Sequence, residues 1–181
     1  MSEPLTPEEE RTCLKLARQA LDHYFKTGKH LRPPVKTDTL KEKRGAFVTL
    51  TIGGELRGCI GYPLPVKPLD ETIIEMAVAA ATQDTRFEPL VANELNQLKI
   101  EISVLGLPEP VSDPSQVEVG RHGIIVSKGF YKGLLLPQVP VEHGWDRETY
   151  LSHGCLKAGL RPEEWKTGAK LEVFTAQVFS E

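Results

Sequence analysis

Apolar residues recur at helical spacing through Cys13, Leu16, Ala17, Ala20, Leu21 and Tyr24. That spacing gathers them into one buried stripe. Thr6-Pro7-Glu8-Glu9 supplies an N-cap, a proline at the first helical position and a capping-box glutamate. Gly28 is the expected stop. A different pattern, strand-like alternation, begins at Gly45 and runs to Ile52. It turns at Gly53-Gly54 and returns from Glu55 to Ile60, which predicts a hairpin with a two-residue loop. Between helix and hairpin, His30 to Arg44 reads as an irregular crossing with Pro33-Pro34. Pro63, Pro65 and Pro68 hold the exit from the hairpin extended.

Leu69 to Thr82 repeats the helical pattern, with Ile73, Met76, Ala77 and Ala80 on the apolar face. A helical turn is expected over Asn93 to Leu98, then a strand from Lys99 to Leu105 with Ile100, Ile102 and Val104 on one face. Pro108-Glu109-Pro110 and Asp113-Pro114 mark a surface connection. Ile124 to Ser127 and Phe130 to Leu136 predict a second hairpin, turning through Lys128-Gly129. Pro137 to Trp145 reads as a loop, and Asp146 caps a helix that runs to Ala158 and stops at Gly159. A short helix opens at Arg161-Pro162, and Leu171 to Phe179 forms a closing strand. Hairpins and irregular crossings outnumber strand–helix–strand units. The expected fold is therefore α+β, with a mainly antiparallel sheet flanked by helices. No G-x-G-x-x-G or phosphate-binding lysine loop supports a doubly wound nucleotide fold.

The 181 residues suit one domain, 1–181, large enough to bury a core. Apolar content of 40% and charged content of 26% are those of an ordinary soluble protein. With 22 Lys+Arg against 25 Asp+Glu, the net charge of -3 makes nucleic acid an unfavoured partner. Lys41, Lys43 and Arg44 cluster, but Glu42 interrupts them, and the run reads as a solvated turn. No stretch nears the roughly 20 apolar residues of a membrane helix. Met1-Ser2-Glu3-Pro4 has no secretory pattern. Cys13, Cys59 and Cys155 are odd in number and widely spaced, which points to reduced thiols and a cytoplasmic setting.

Leu56-Arg57-Gly58-Cys59-Ile60-Gly61 carries the most chemistry. In a regular strand Arg57 and Cys59 share a face. A cation there would favour the thiolate, the reactive form of cysteine. Gly58 and Gly61 would leave backbone N–H groups open to an oxyanion. The bland alternative is a buried thiol between backbone-shaping glycines. His122, in Gly120-Arg121-His122-Gly123, is the candidate base, against a turn histidine tied by hydrogen bonds. Asp84-Thr85-Arg86-Phe87 could bind an anion or peptide, or form an Asp84–Arg86 turn with Phe87 in the core. Cys13 falls on the buried stripe, and Cys155 also suits burial. His153 and Cys155 point to different helix faces, so no metal site is assigned. Trp145 and Trp165 read as rim aromatics.

The cysteine segment and its surroundings resemble the AMMECR family. The resemblance includes Gly45-Ala46-Phe47-Val48-Thr49-Leu50, Ala79-Ala80-Ala81, Arg86-Phe87 and Pro89-Leu90. It continues through Ile100 to Leu105, Pro108-Glu109-Pro110, Gly120 to Ile124, Gly133 to Val139 and Trp145. Thr85 stands where the family often has proline. The resemblance covers nearly the whole chain and implies two lobes, a larger and a smaller, with the cysteine motif near a cleft. It brings no firmly assigned reaction and no known cofactor. In some prokaryotic relatives the domain is linked with Memo-type and radical-SAM proteins, which would make these partners in a modification pathway.

Two functions compete on this reading. A thiol-dependent enzyme, performing acyl transfer or modification, would use Cys59 as nucleophile, Arg57 as anion or thiolate partner and His122 as base. A non-catalytic adaptor would use Arg57, Gly58, Gly61, Arg86 and Arg121 to hold a protein partner or a small anionic ligand. A nucleic-acid-associated regulator is a weaker third.

Overall fold

In a computed structural model of the chain, residues 3–32 and 37–181 are described. The predicted Pro33-Pro34 crossing lies outside them. In chain order the elements are α1 (Pro7–Thr27), α2 (Asp38–Lys41), β1 (Ala46–Ile52), β2 (Glu55–Tyr62) and α3 (Leu69–Thr82). A 3-10 turn (Ala92–Gln97) leads into β3 (Leu98–Leu105), then β4 (Glu109–Val111), β5 (Gly123–Lys128) and β6 (Tyr131–Leu135). The chain ends with α4 (Gln138–His143), α5 (Arg147–Lys157), α6 (Glu164–Thr167), β7 (Lys170–Phe174) and β8 (Ala176–Ser180). The fold is α+β, with two antiparallel four-stranded sheets.

The chain divides into two compact units, each with its own sheet. The first comprises residues 3–105 and 177–181, the second residues 106–176. In the first unit the strand order is β2-β1-β3-β8. Val48 and Leu50 of β1 and Ile100 and Ile102 of β3 are fully buried on its inner face. Each contributes about 2 kcal/mol by leaving water. The helices α1 and α3 complete that core. The predicted capping box starts α1: Thr6 Oγ1 accepts from Glu9 N–H (3.3 Å), and the Glu9 carboxylate accepts from Thr6 N–H (2.8 Å). Gly28 ends it at φ 70°. Burial surrounds α3 almost completely, because its run of alanines lets backbones approach closely.

In the second unit the order is β4-β7-β5-β6. Val126 and Leu171 pack with Tyr150, Leu151 and Cys155 of α5. The Tyr150 hydroxyl donates towards the carbonyls of His122, Leu135 and Leu136 at 3.1–3.2 Å. One phenol thus ties the helix to the β5–β6 hairpin.

Several expectations are corrected. The closing strand is two strands in different sheets, β7 and β8, separated at Thr175, whose carbonyl accepts from Gly106 N–H. The surface connection after Pro108 contains β4. The loop from Pro137 holds α4, closed by Gly144 at φ 64°. The second hairpin turns through Gly129-Phe130, with Lys128 facing Tyr131. Gly129 at φ 60° occupies the first turn position, where positive φ is required. The Lys41–Arg44 run is only partly solvated. Arg44 is 3% exposed and bonds the Glu42 carboxylate and the Glu3 carbonyl, while Lys41 pairs with buried Asp70.

Candidate functional site

The β1–β2 hairpin places the cysteine segment on an edge strand. Thr49 faces Cys59 and Leu50 faces Gly58, but the next pair is Thr51 with Leu56. Arg57 is therefore the extra residue of a β-bulge, a device that re-aims a side chain. The bulge breaks the alternation on which the expected Arg57–Cys59 pairing rested. Arg57 turns to Glu94, donating from Nε (2.9 Å) and Nη2 (3.2 Å), and gives Nη1 to the Glu88 carbonyl (2.7 Å). This guanidinium holds Glu94 below the usual carboxylate range.

The partners of Cys59 are others. Its Sγ lies 3.1 Å from Thr49 Oγ1. Its N–H donates to Asp84 Oδ2 at 2.9 Å. That amide is therefore already engaged, contrary to its expected availability for an oxyanion. Asp84 is 8% exposed and carries a second load. Arg86 donates to it from its backbone N (3.1 Å), from Nε (3.0 Å) and from Nη2 (2.7 Å). The Arg86 guanidinium drives the Asp84 carboxyl far below its ordinary value. The Arg86 side chain is itself 57% exposed. The predicted Asp84–Arg86 turn is present, but Phe87 is only half-buried and Leu90 fills the core there instead.

Both motif glycines answer to neighbours in the fold. A Cβ on Gly58 would lie 2.0 Å from the Ala80 carbonyl oxygen of α3. One on Gly61 would lie 2.4 Å from the Phe47 ring. Neither position has room for a side chain, so these residues bring β2 close to its neighbours. On the sheet surface next to Cys59, Thr49 also lines a shallow depression of about 210 Å³ with Thr51, Lys99, Glu101 and Ser180.

Arg121 and His122 belong to the second unit, so the first unit holds Cys59, Arg57 and Arg86 without them. His122 Nδ1 accepts from Glu118 N–H (3.2 Å), and its own N–H donates to the Glu118 carbonyl (2.9 Å). Arg121 pairs with Glu118 on the surface. His122 lines a small cavity of about 100 Å³ with Glu109, Arg121, Phe174 and Thr175.

Burial pushes the Cys13 thiol up to about 12 and raises Cys155 as well. Among the described residues no three His, Cys, Asp or Glu side chains gather into a metal site. His153 and His143 lie against the Trp145 indole instead, at 3.8 and 4.7 Å between ring centres and with nearly parallel planes. Trp145 is half-buried and is a stacking surface for the protein's own histidines. Among the described residues, no helix is long and apolar enough to cross a membrane.

Sequence reasoning missed Thr49 and Glu94 as partners. The first was recoverable from the hairpin register; the second had no local signal, being 37 residues from Arg57.

The α+β architecture has known counterparts. A family model described as AMMECR1 matches residues 14–179, and the chain belongs to that family. A protein of Methanopyrus kandleri is 50% identical over 191 residues, covering 100% of this chain and 92% of the relative. One from Thermococcus gammatolerans is 48% identical over 180 residues, covering 93% and 88%. The crystal structure of uncharacterized protein PH0010 from Pyrococcus horikoshii matches with TM-score 0.83 and 45% identity, covering 98% of this chain and 93% of that one.

Proposed function

We propose that the protein is a binding module that recognises an anionic group, from a small ligand or a partner protein, at Arg86 beside Cys59. One observation carries this reading. An outward guanidinium, 57% exposed, is clamped by a nearly buried carboxylate that is itself anchored to the Cys59 amide. Such a cation is pre-organised, so little side-chain entropy is lost when an anion docks. The Thr49 hydroxyl and the Cys59 sulfur stand beside it, and the depression beyond Thr49 offers room for the rest of a ligand. A cytoplasmic setting, in which the thiol stays reduced, belongs to the same reading.

The nucleophilic reading of Cys59 is second. What favours it is that Cys59 is the half-exposed thiol, whereas Cys13 and Cys155 are buried. Against it stand the engaged Cys59 amide, the diversion of Arg57 to Glu94 and the tie of His122 Nδ1 to Glu118.

The test is the rate of Cys59 alkylation by neutral iodoacetamide, with and without inorganic pyrophosphate. Bound anion at Arg86 should slow the reaction at least about threefold, and Arg86→Gln should abolish the protection. Unchanged rates in the wild-type protein at millimolar pyrophosphate would overturn the anion site. An alkylation rate that titrates well below the free-thiol pKa of about 8.5 would favour the nucleophilic reading.

A further inference from the structure

Each sheet ends in two edge strands, β2 and β8 in the first and β4 and β6 in the second. The edge of β2 is met by Asp84, which takes the outward N–H of Cys59. Beside β8, the Gln177 side chain bonds both the N–H and the carbonyl of Leu5 (2.8 and 2.9 Å). The β4 edge is three residues long with Pro110 at its centre, a common way of blunting an edge.

The β6 edge differs. In a two-residue hairpin the closing pair, Lys128 with Tyr131, exchanges both hydrogen bonds, and bonded pairs then alternate. Gly133 and Leu135 therefore face β5, whereas Lys132 and Leu134 turn N–H and C=O outward. The strand begins beside Phe130, which is fully exposed, and Tyr131, which is 59% exposed. Leu156 of α5, 52% exposed, lies near the same edge, because the Lys157–Ala158 backbone packs on Gly133. Lys132 projects from one face of the strand, and Lys157 flanks the other. Neither has a carboxylate partner among the described residues, although the chain as a whole is acidic.

We infer that the β6 edge is a docking site for an extended, acidic segment of a partner protein, which adds to the second sheet as a fifth strand. Main-chain bonds to Lys132 and Leu134 supply the pairing, as in strand addition generally. Acidic side chains on one face of the added strand meet Lys132, and apolar ones on the other face cover Tyr131 and Leu156, with Lys157 at that face's margin. The charge pattern selects acidic over basic segments, mainly through the association rate. This site lies in the second unit and is independent of the Arg86 proposal.

The test uses two synthetic peptides, acetyl-(Glu-Val)4-amide and acetyl-(Lys-Val)4-amide, titrated into the full chain and followed by amide NMR. The acidic peptide should shift the Lys132 and Leu134 amides, slow their hydrogen exchange and bind at least about tenfold tighter than the basic one at low salt. Leu134→Pro removes an outward N–H without touching a bond to β5, and should abolish binding. If that variant does not fold, Lys132→Glu provides the second arm and should reverse the peptide preference. Equal affinity for both peptides, or shifts located elsewhere, would overturn the inference. So would a β6 edge that ignores both peptides while the protein co-sediments with phosphatidylserine vesicles through Phe130, which would assign the patch to a lipid surface.

Discussion

The two glycine-turned hairpins are built alike and finish differently. In each, a helix backbone presses on a glycine in the returning strand: α3 at Ala80 on Gly58, and the end of α5 at Ala158 on Gly133. In each, a basic residue, Arg57 or Lys132, precedes that glycine. The difference is one residue. The bulge at Arg57 makes Gly58 the fourth residue of β2, whereas Gly133 is the third of β6. The bulged cation turns to Glu94, and Asp84 meets the β2 edge. The unbulged Lys132 stays exposed on an open edge. Strand chemistry of nearly the same type thus yields an edge met by carboxylates in one unit and an open edge in the other. The chain downstream of β2 supplies Asp84 and Glu94 to its edge, and the chain downstream of β6 supplies no carboxylate to Lys132 among the described residues.

The largest test of this parallel is at the two glycines. Gly58→Ala and Gly133→Ala each place a Cβ within 2.4 Å of helix backbone, with no flexible side chain to yield. Both should cost about 3 kcal/mol in urea unfolding. Tolerance of one but not the other would break the equivalence.

Next comes Asp84→Asn, which has no counterpart in the second hairpin. Arg86 depresses the Asp84 carboxyl, so its stabilisation is complete above the ordinary carboxylate range, near pH ~4, and is lost as pH falls below that. The variant should be less stable at pH 7 and lose less on acidification. Its Cys59 amide should also exchange faster with solvent, because its acceptor is neutral. An unchanged acid limb would remove Asp84 from the closure of this edge.

Thiol reactivity gives a smaller, sharper contrast. In the native protein one thiol, Cys59, should react with a neutral alkylating agent on a timescale of minutes. Cys13, pushed up to about 12, and Cys155 should react only on unfolding. Peptide mapping after a brief pulse checks this. Gly54→Ala, at φ 83° in the turn of the first hairpin, should cost about 1 kcal/mol by thermal melting. The smallest effect is expected at Phe130→Ser in the other turn, within about 0.5 kcal/mol, because that ring has no packing to lose.

Local pattern carried much of the fold. The stripe through Cys13, Leu16 and Leu21 placed α1, its cap and a buried thiol. Turn glycines and alternation located both hairpins, the second with its turn one residue off, and Asp146 is legible as the cap of α5. These features depend on neighbours within a few residues, where propensity and periodicity act. The division between β7 and β8 was illegible because both halves alternate in the same way; only their pairing with different sheets separates them. Phe87 misled because its size suggests core, yet the Asx turn at Asp84 leaves it only half-buried.

The candidate site divides along the same line. Family membership, the cysteine set between glycines and the Asp84–Arg86 pair can be read from the sequence. Which cation serves which group cannot. A single inserted residue at Arg57 breaks the alternation, and period-two reasoning cannot register an insertion that shows only in the pairing with β1. Glu94 reaches Arg57, and Asp84 reaches the Cys59 amide, across 37 and 25 residues of chain. Charges interact through space, so their pairing was settled only when α3 and the turn after it folded back on the edge of β2.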